Sequence, residues 1–441
     1  MDLHSLEQKP SEDDYLFGPG QAWFAFAMTL ALMIFDYVDR QVIVSLFPYL
    51  KAEWSLSDKQ LGALVSVVSV TVALGALPVA LIADRASRVK SIVVMATIWS
   101  LSTISCMWAK SYGQLLAARS MVGLGEAGYG SVGAALIASH FPARMRGGLL
   151  AGFFASASVG SVLGVMLGGA IASRWGWQAA FVVVGFPGLV LALLYLKVRD
   201  YRTVELAPAL QAKRQSLGEA VVHIVKVLAR SRTMLWVCIG GSAQLIVVSA
   251  MWSWLPSFLN RVHGIEPGQA ALKAALVVLA GAAGAVVWGA VVDRAGARQP
   301  RRKLMMLALL CLVSLAVLMT AFGVPLQAGM QFPLILVGGF LMTCSVGPVS
   351  AIVIDVIHPG VRATGSSVLA LFQNLFGLAA GPFIAGVLSD VLGLTTALTV
   401  MPAFAVLAAA AFLLAARSYE ADKASAGEAA LAPAGLRPAV A

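Results

Sequence analysis

The feature that most constrains this chain is a train of apolar runs, each about twenty residues long, separated by short polar breaks. A helix of about 20 apolar residues crosses the roughly 30 Å hydrocarbon core of a bilayer and satisfies its own backbone hydrogen bonds there. Twelve such runs are expected, near 21–49, 59–83, 89–109, 112–139, 146–172, 177–197, 233–260, 270–292, 303–323, 330–356, 363–389 and 393–416. Charged residues make up 12% of the chain, where a soluble globular chain carries about 25%, so most of the molecule belongs in lipid and no soluble domain is expected.

The loops orient the spans. Even-numbered loops hold Arg85, Arg88, Lys90, Arg144, Arg146, a basic linker over 198–232, Arg294, Arg298, Arg301, Arg302, Lys303 and Arg362. Odd-numbered loops hold only Lys51, Lys59, Lys110, Arg174, Arg261 and Lys273. Because cytoplasmic loops carry the excess of Lys and Arg, both termini and the linker are expected in the cytoplasm of a bacterial inner membrane. The net charge of +10 is therefore read as topology, and no nucleic acid is expected as a partner. The first twenty residues lack the basic start and short apolar run of a cleaved signal peptide. Within the linker, Ser216 to Leu228 has the pattern of a short amphipathic helix, and the Ala-rich tail from about Ser418 is expected to lack structure.

The two halves echo each other. Ala83-Asp84-Arg85-Ala86-Ser87-Arg88 follows span two, and Val292-Asp293-Arg294-Ala295-Gly296-Ala297-Arg298 follows span eight. Pro142 and Arg146 after span four are matched by Pro359 and Arg362 after span ten. Such repeats mark carriers built from two six-helix bundles, here 21–197 and 233–416. The loop charges Asp84, Arg85, Arg88, Asp293 and Arg294 are candidates for latch contacts between the bundles.

A charge at mid-membrane costs at least about 2.5 kcal/mol and marks a pathway or a proton relay. The chain places few there: Asp36, Asp39 and Arg40 in one sector of span one, and Arg119 and Glu126 in span four. Together with Gly123 and Gly130, the last two are expected to form one charged or glycine-small face turned to a central cavity. Asp39 and Glu126, with Asp36 as a further candidate, are the carboxylates expected to take up and release protons. Arg40 and Arg119 are the cations expected to alternate as their partners or to hold an anionic head group. Tyr129, Gln244, Trp252, Phe372, Gln373, Asn374 and Phe376 are candidates for the cavity lining. A cavity charged on one side and apolar on the other suits an amphipathic substrate.

Other chemistries lack their residues. Cys106, Cys238, Cys311 and Cys344 lie in apolar runs without paired spacing, so neither a disulfide framework nor a metal site is expected. His140, His263 and His358 sit at span ends, and His4 and His223 in polar segments. Gly123-Leu-Gly125-Glu126-Ala127-Gly128 fits the dinucleotide-binding glycine pattern, but no strand precedes it and no βαβ unit surrounds it. No cofactor is expected, and no nucleophile with a base lies at membrane depth, so the chain is read as a carrier and not an enzyme. Gly160, Gly164, Gly168 and Gly169 in span five repeat at helical spacing, as at a close helix crossing.

These residues carry a resemblance. The Asp-Arg loops after spans two and eight resemble the signature loop of the major facilitator superfamily, although Ala80 and Ser87 stand where that loop often has Gly. Arg119 to Gly128 resembles the superfamily's arginine-centred motif in span four. Tyr37-Val38-Asp39-Arg40-Gln41, Gly125-Glu126-Ala127, and Gly381-Pro382 ahead of Ser389-Asp390 are similar to the spinster-like branch. The resemblance implies an all-α major facilitator fold with twelve transmembrane helices in two pseudo-symmetric bundles. It also implies proton-linked transport of lysophospholipids or sphingoid lipids, by a chain expected to work as a monomer. Small organic anions such as sugar acids, or drug-type efflux, stand as the alternative.

Overall fold

The computed structural model describes residues 15–85, 87–199, 231–357 and 362–431, and the expected helix at Ser216–Leu228 lies outside them. Among the described residues, twelve helical stretches are long and apolar enough to cross a membrane. In order they are Pro19–Trp54, Asp58–Arg85, Arg88–Trp108, Tyr112–His140, Ala143–Trp175 and Trp177–Tyr195, then Arg232–His263, Pro267–Gly296, Arg302–Gly323, Ala328–Val356, Arg362–Leu392 and Leu394–Leu431. They are called spans one to twelve below.

Side chains too small to fill space decide which spans touch. A Cβ at Gly160, Gly164 or Gly168 would run into the backbone of Ile34, Val38 or Val42, so spans five and one cross backbone against backbone. The next residue, Gly169, meets Ala271 and carries the same span across to span eight. On the opposite flank, Gly62 sits against the Pro382 carbonyl and Gly386 against that of Asp58, which zips span two to span eleven. Span seven lies most deeply inside, with 83% of its apolar window buried. Leucines, valines and phenylalanines elsewhere face outward in number, among them Leu74, Val286 and Val391, as lipid-facing helices require.

Three expectations change. Spans four and ten are each two helices instead of one, because the chain breaks at Ala127–Gly128, with Gly128 at φ +81°, and again at Thr343–Ser345. Span eleven widens to a π-helix over Gln373–Leu378 where Gly377 presses on Leu245 of span seven. The chain also stays helical past Ser418 to Leu431. Tyr419 is buried there and donates to Asp355 at 2.6 Å, while Asp422 accepts from the Ser231 hydroxyl and the Thr233 N–H. Those bonds supply what the sparse apolar pattern of the tail does not.

Candidate functional site

The break in span four places Glu126. It is the last residue of the helix Tyr112–Glu126, before Ala127 and the left-handed Gly128 redirect the chain into Tyr129–His140. That end of a helix carries partial negative charge, so a buried carboxylate there depends on a neighbouring cation. Arg40 of span one supplies it: its Nε lies 2.9 Å from Glu126 Oε2 and 3.4 Å from Asp36 Oδ2, one turn back on the same span. The guanidinium also sits 5.2 Å from the centre of the Tyr37 ring.

A second group adjoins the first. Arg119 Nη1 is 3.7 Å from Asp39 Oδ1 and donates to the Asp39 carbonyl at 3.2 Å, while its Nε donates to Leu64 of span two at 3.5 Å. The Thr103 hydroxyl of span three donates to the other Asp39 oxygen. The arrangement joins spans one to four around two guanidiniums and three carboxylates. Arg119 is fully buried and Asp36, Asp39 and Glu126 are 2% exposed, whereas the Arg40 side chain keeps 16% of its surface open. Arg40 is thus the member of the group with the most open surface. Asp36 Oδ1, Glu126 Oε1 and Arg119 Nη2 have no hydrogen-bond partner among the described residues, so the pairing is incomplete. With every member ionised the group holds one negative charge in excess, which costs several kcal/mol at this depth unless a proton or a cation joins it.

The sequence-derived set is therefore brought together at Asp36, Asp39, Arg40, Arg119 and Glu126, but not everywhere else. Gly123 lies with Arg119 against span two and not against open space, since a Cβ there would strike Val68 and Thr71 while Arg119 reaches Leu64, and the break separates Gly130 from the helix that bears Arg119. Tyr129 is 1% exposed inside the first bundle, between Trp99 and Phe153, with its hydroxyl on the Thr29 carbonyl at 2.6 Å. Gln244 is fully buried and donates to the Met342 carbonyl at 2.8 Å, at the break in span ten. Both were expected to line a cavity and instead hold their own bundles together, since lipid offers a buried hydroxyl or amide no other partner. Trp252 is half-buried against Gly281 of span eight. Phe372, Gln373 and Asn374 are half-buried, Asn374 donates to the Ala370 carbonyl, and Phe376 is 51% exposed beside Phe372.

The loop charges expected to latch the bundles are described only in part. Arg88 donates to Ala135 and Ser139 of span four, and Asp293 pairs with Lys303 of span nine at 3.0 Å, contacts that lie inside a bundle. The Arg294 side chain is exposed, and the side chains of Asp84 and Arg85 lie outside the described residues. Among the described residues, charges join the bundles at the opposite end of the molecule, around Asp58, where Arg261 had stood only as an odd-loop charge. Arg261 and Ser389 reach Asp58 from 203 and 331 residues away, so no local pattern pairs them, whereas Lys51 pairs with it within the first bundle from seven residues away; the one available signal was Ser389-Asp390, a motif without an assigned role.

Comparison with known proteins agrees with this architecture. The Major Facilitator Superfamily matches residues 29–380. An MFS-type efflux pump of Mycolicibacterium smegmatis is 29% identical over 85% of this chain and 86% of its own. Protein spinster of Drosophila melanogaster is 24% identical over 83% of this chain, which spans 62% of that relative's length. A gallate transporter of Pseudomonas putida is 28% identical over 87% of this chain and 90% of its own. Among solved structures, a bacterial homologue of the human lysosomal transporter Spinster, in an inward-facing and unoccupied conformation, superposes with a TM-score of 0.80 at 23% identity. It covers 92% of this chain and 99% of its own. Two six-helix bundles, paired Asp-Arg loops and an arginine-centred span four thus converge with the family match: the chain belongs to the major facilitator superfamily, is a membrane transporter and not an enzyme, and resembles the spinster-like branch.

Proposed function

We propose that the protein is a proton-coupled carrier that works by alternating access and moves an amphipathic substrate such as a lysophospholipid or a sphingoid lipid. The observation that carries this reading is the buried group of three carboxylates and two guanidiniums, of which only Arg40 reaches an open surface. A proton added to this group removes its excess charge. An anionic head group that engages Arg40 draws the guanidinium from Asp36 and Glu126, and leaves those carboxylates in need of a proton. Binding and protonation then reinforce each other, which is the linkage a symporter needs. The apolar complement comes from the second bundle, where Phe372 and Phe376 stack at 5.3 Å on a span that carries no charge between Gly365 and Ser389. The working unit is a monomer in a bacterial inner membrane, with even-numbered loops in the cytoplasm.

A small organic anion is the second reading, favoured by the similarity to a gallate transporter and by the same open guanidinium. Uptake and binding in proteoliposomes under an imposed pH gradient separate the two, with a lysophospholipid and a sugar acid compared side by side. Lysophospholipid transport driven by the gradient, and lost in Asp39→Asn with Glu126→Gln, is the expected result. Gradient-driven uptake of the sugar acid without lysophospholipid binding transfers the case to the anion. Transport of either that ignores the gradient removes the proton from the mechanism.

A further inference from the structure

Positive charge is concentrated in the connection between spans eight and nine. From Asp293 to Lys303 the chain holds one acid and five bases, Arg294, Arg298, Arg301, Arg302 and Lys303. Lys303 is engaged inside the protein. Its aliphatic stem lies over Gly296, where a Cβ would strike it, and its Nζ stands 3.0 Å from Asp293 and 4.0 Å from Asp355. Lys423 at 3.7 Å and the Tyr419 hydroxyl also face Asp355, so both acids near this connection are answered without an arginine. The turn itself is ordered by backbone bonds: the Ala297 N–H donates to Arg294, that of Arg302 to Gln299 and that of Lys303 to Pro300.

Four guanidiniums are left over. Arg294, Arg298, Arg301 and Arg302 are all exposed, and among the described residues none of them has a carboxylate or hydrogen-bond partner. No acid stands in the first turn of span nine. The first bundle treats its arginines at this end differently, since Arg88 donates to the Ala135 carbonyl and Arg146 to that of Phe141. Next to the unpaired group, Met305, Leu309 and Leu312 follow Arg301 along one exposed stripe of span nine, while Leu304, Leu307 and Cys311 are buried on its other side. A stripe that is cationic at its foot and apolar along its length has the polarity of one lipid molecule standing in a leaflet. Guanidiniums bind phosphate oxygens in pairs, and they repel a head group that carries its own ammonium.

We infer that Arg294, Arg298, Arg301 and Arg302 hold the phosphodiester head group of an anionic membrane phospholipid, with an acyl chain along Met305, Leu309 and Leu312. This lipid is a bound constituent of the second bundle and not the transported solute, because the buried charge group around Arg40 belongs to the first bundle. The inference goes beyond the transport reading and depends on neither the substrate nor the proton.

The test is native mass spectrometry of the full-length protein in mild detergent, titrated with phosphatidylglycerol and, separately, with phosphatidylcholine. Phosphatidylglycerol is expected to bind the parent about tenfold more tightly than phosphatidylcholine. Arg301→Gln is expected to weaken it about fivefold, and Arg298→Gln, Arg301→Gln and Arg302→Gln combined about a hundredfold, as charges acting near one surface do. All three positions are exposed, and an unchanged thermal melt confirms that the fold is intact. Arg144→Gln removes an exposed arginine from another even-numbered loop and is expected to leave the affinity unchanged. A triple variant that binds like the parent, or equal losses in Arg144→Gln and Arg301→Gln, overturns the site. Displacement of phosphatidylglycerol by free glycerol phosphate overturns the lipid as its occupant. These readings need no transport, so a failure of proton coupling in proteoliposomes leaves them standing.

Discussion

Span four and its counterpart six spans later, span ten, both break near mid-length, at Ala127–Gly128 and at Thr343–Ser345, positions about 216 residues apart in the two halves. Each break frees backbone groups that lipid cannot satisfy. At the second break the answer is neutral: Gln244 donates to the Met342 carbonyl, and the Thr343 hydroxyl donates to that of Gly281 at 2.7 Å. At the first it is ionic: Glu126 ends the helix, Arg40 compensates it, and Arg119 with Asp39 lies a few turns away. The same backbone device thus serves two purposes. A neutral amide holds one arrangement at every pH, whereas a carboxylate between cations changes partners when a proton arrives. One break is closed by neutral groups and the other by charged ones, and under the proposed function this asymmetry puts coupling in the first bundle.

The comparison breaks most visibly if the first site is made like the second. Glu126→Gln replaces the titratable group with the amide that serves at span ten, and transport driven by a pH gradient is expected to fall to background while the protein still folds and inserts. Proteoliposome uptake together with a thermal melt checks both parts; retained coupling would move the proton elsewhere. Next in size is Arg119→Met, which leaves Asp39 buried without its cation. A loss of about 3–5 kcal/mol is expected, read as poor yield and a lowered melting temperature, and Asp39→Asn in the same chain is expected to restore most of it. Gln244→Leu tests the neutral break: the Met342 carbonyl loses its donor, at a cost of about 1–3 kcal/mol, with the pH dependence of transport unchanged. Smallest is Tyr419→Phe, which deletes the bond to Asp355 and is expected to cost about 1 kcal/mol, seen as earlier proteolysis of the tail.

Much of the site was legible in the sequence because lipid makes charge conspicuous. Asp36, Asp39, Arg40, Arg119 and Glu126 stand out in apolar runs, and the structure gathers all five. Gly160, Gly164 and Gly168 announced a close crossing by their spacing, and it forms against span one. Tyr129 and Gln244 misled for a shared reason. A polar side chain in an apolar span reads alike whether it faces a cavity or caps a carbonyl inside a bundle, and only the neighbouring helix tells which. The helix wheel through Gly130 failed because it assumed one continuous helix, whereas Gly128 takes a left-handed conformation. The contacts of Asp58 stayed hidden because Lys51, Asp58, Arg261 and Ser389 belong to four spans, and charges near helix ends look like ordinary topology signals.

The sequence by itself determined the twelve crossings, their grouping into two echoing halves and the concentration of buried charge in the first of them. Those follow from the cost of placing polar groups in hydrocarbon, a local property of each segment. Tertiary structure alone decided which carboxylate faces which guanidinium, where spans four and ten break, and which residues meet across the bundles at Asp58. Those depend on distances between segments hundreds of residues apart, set where small residues allow two backbones to approach.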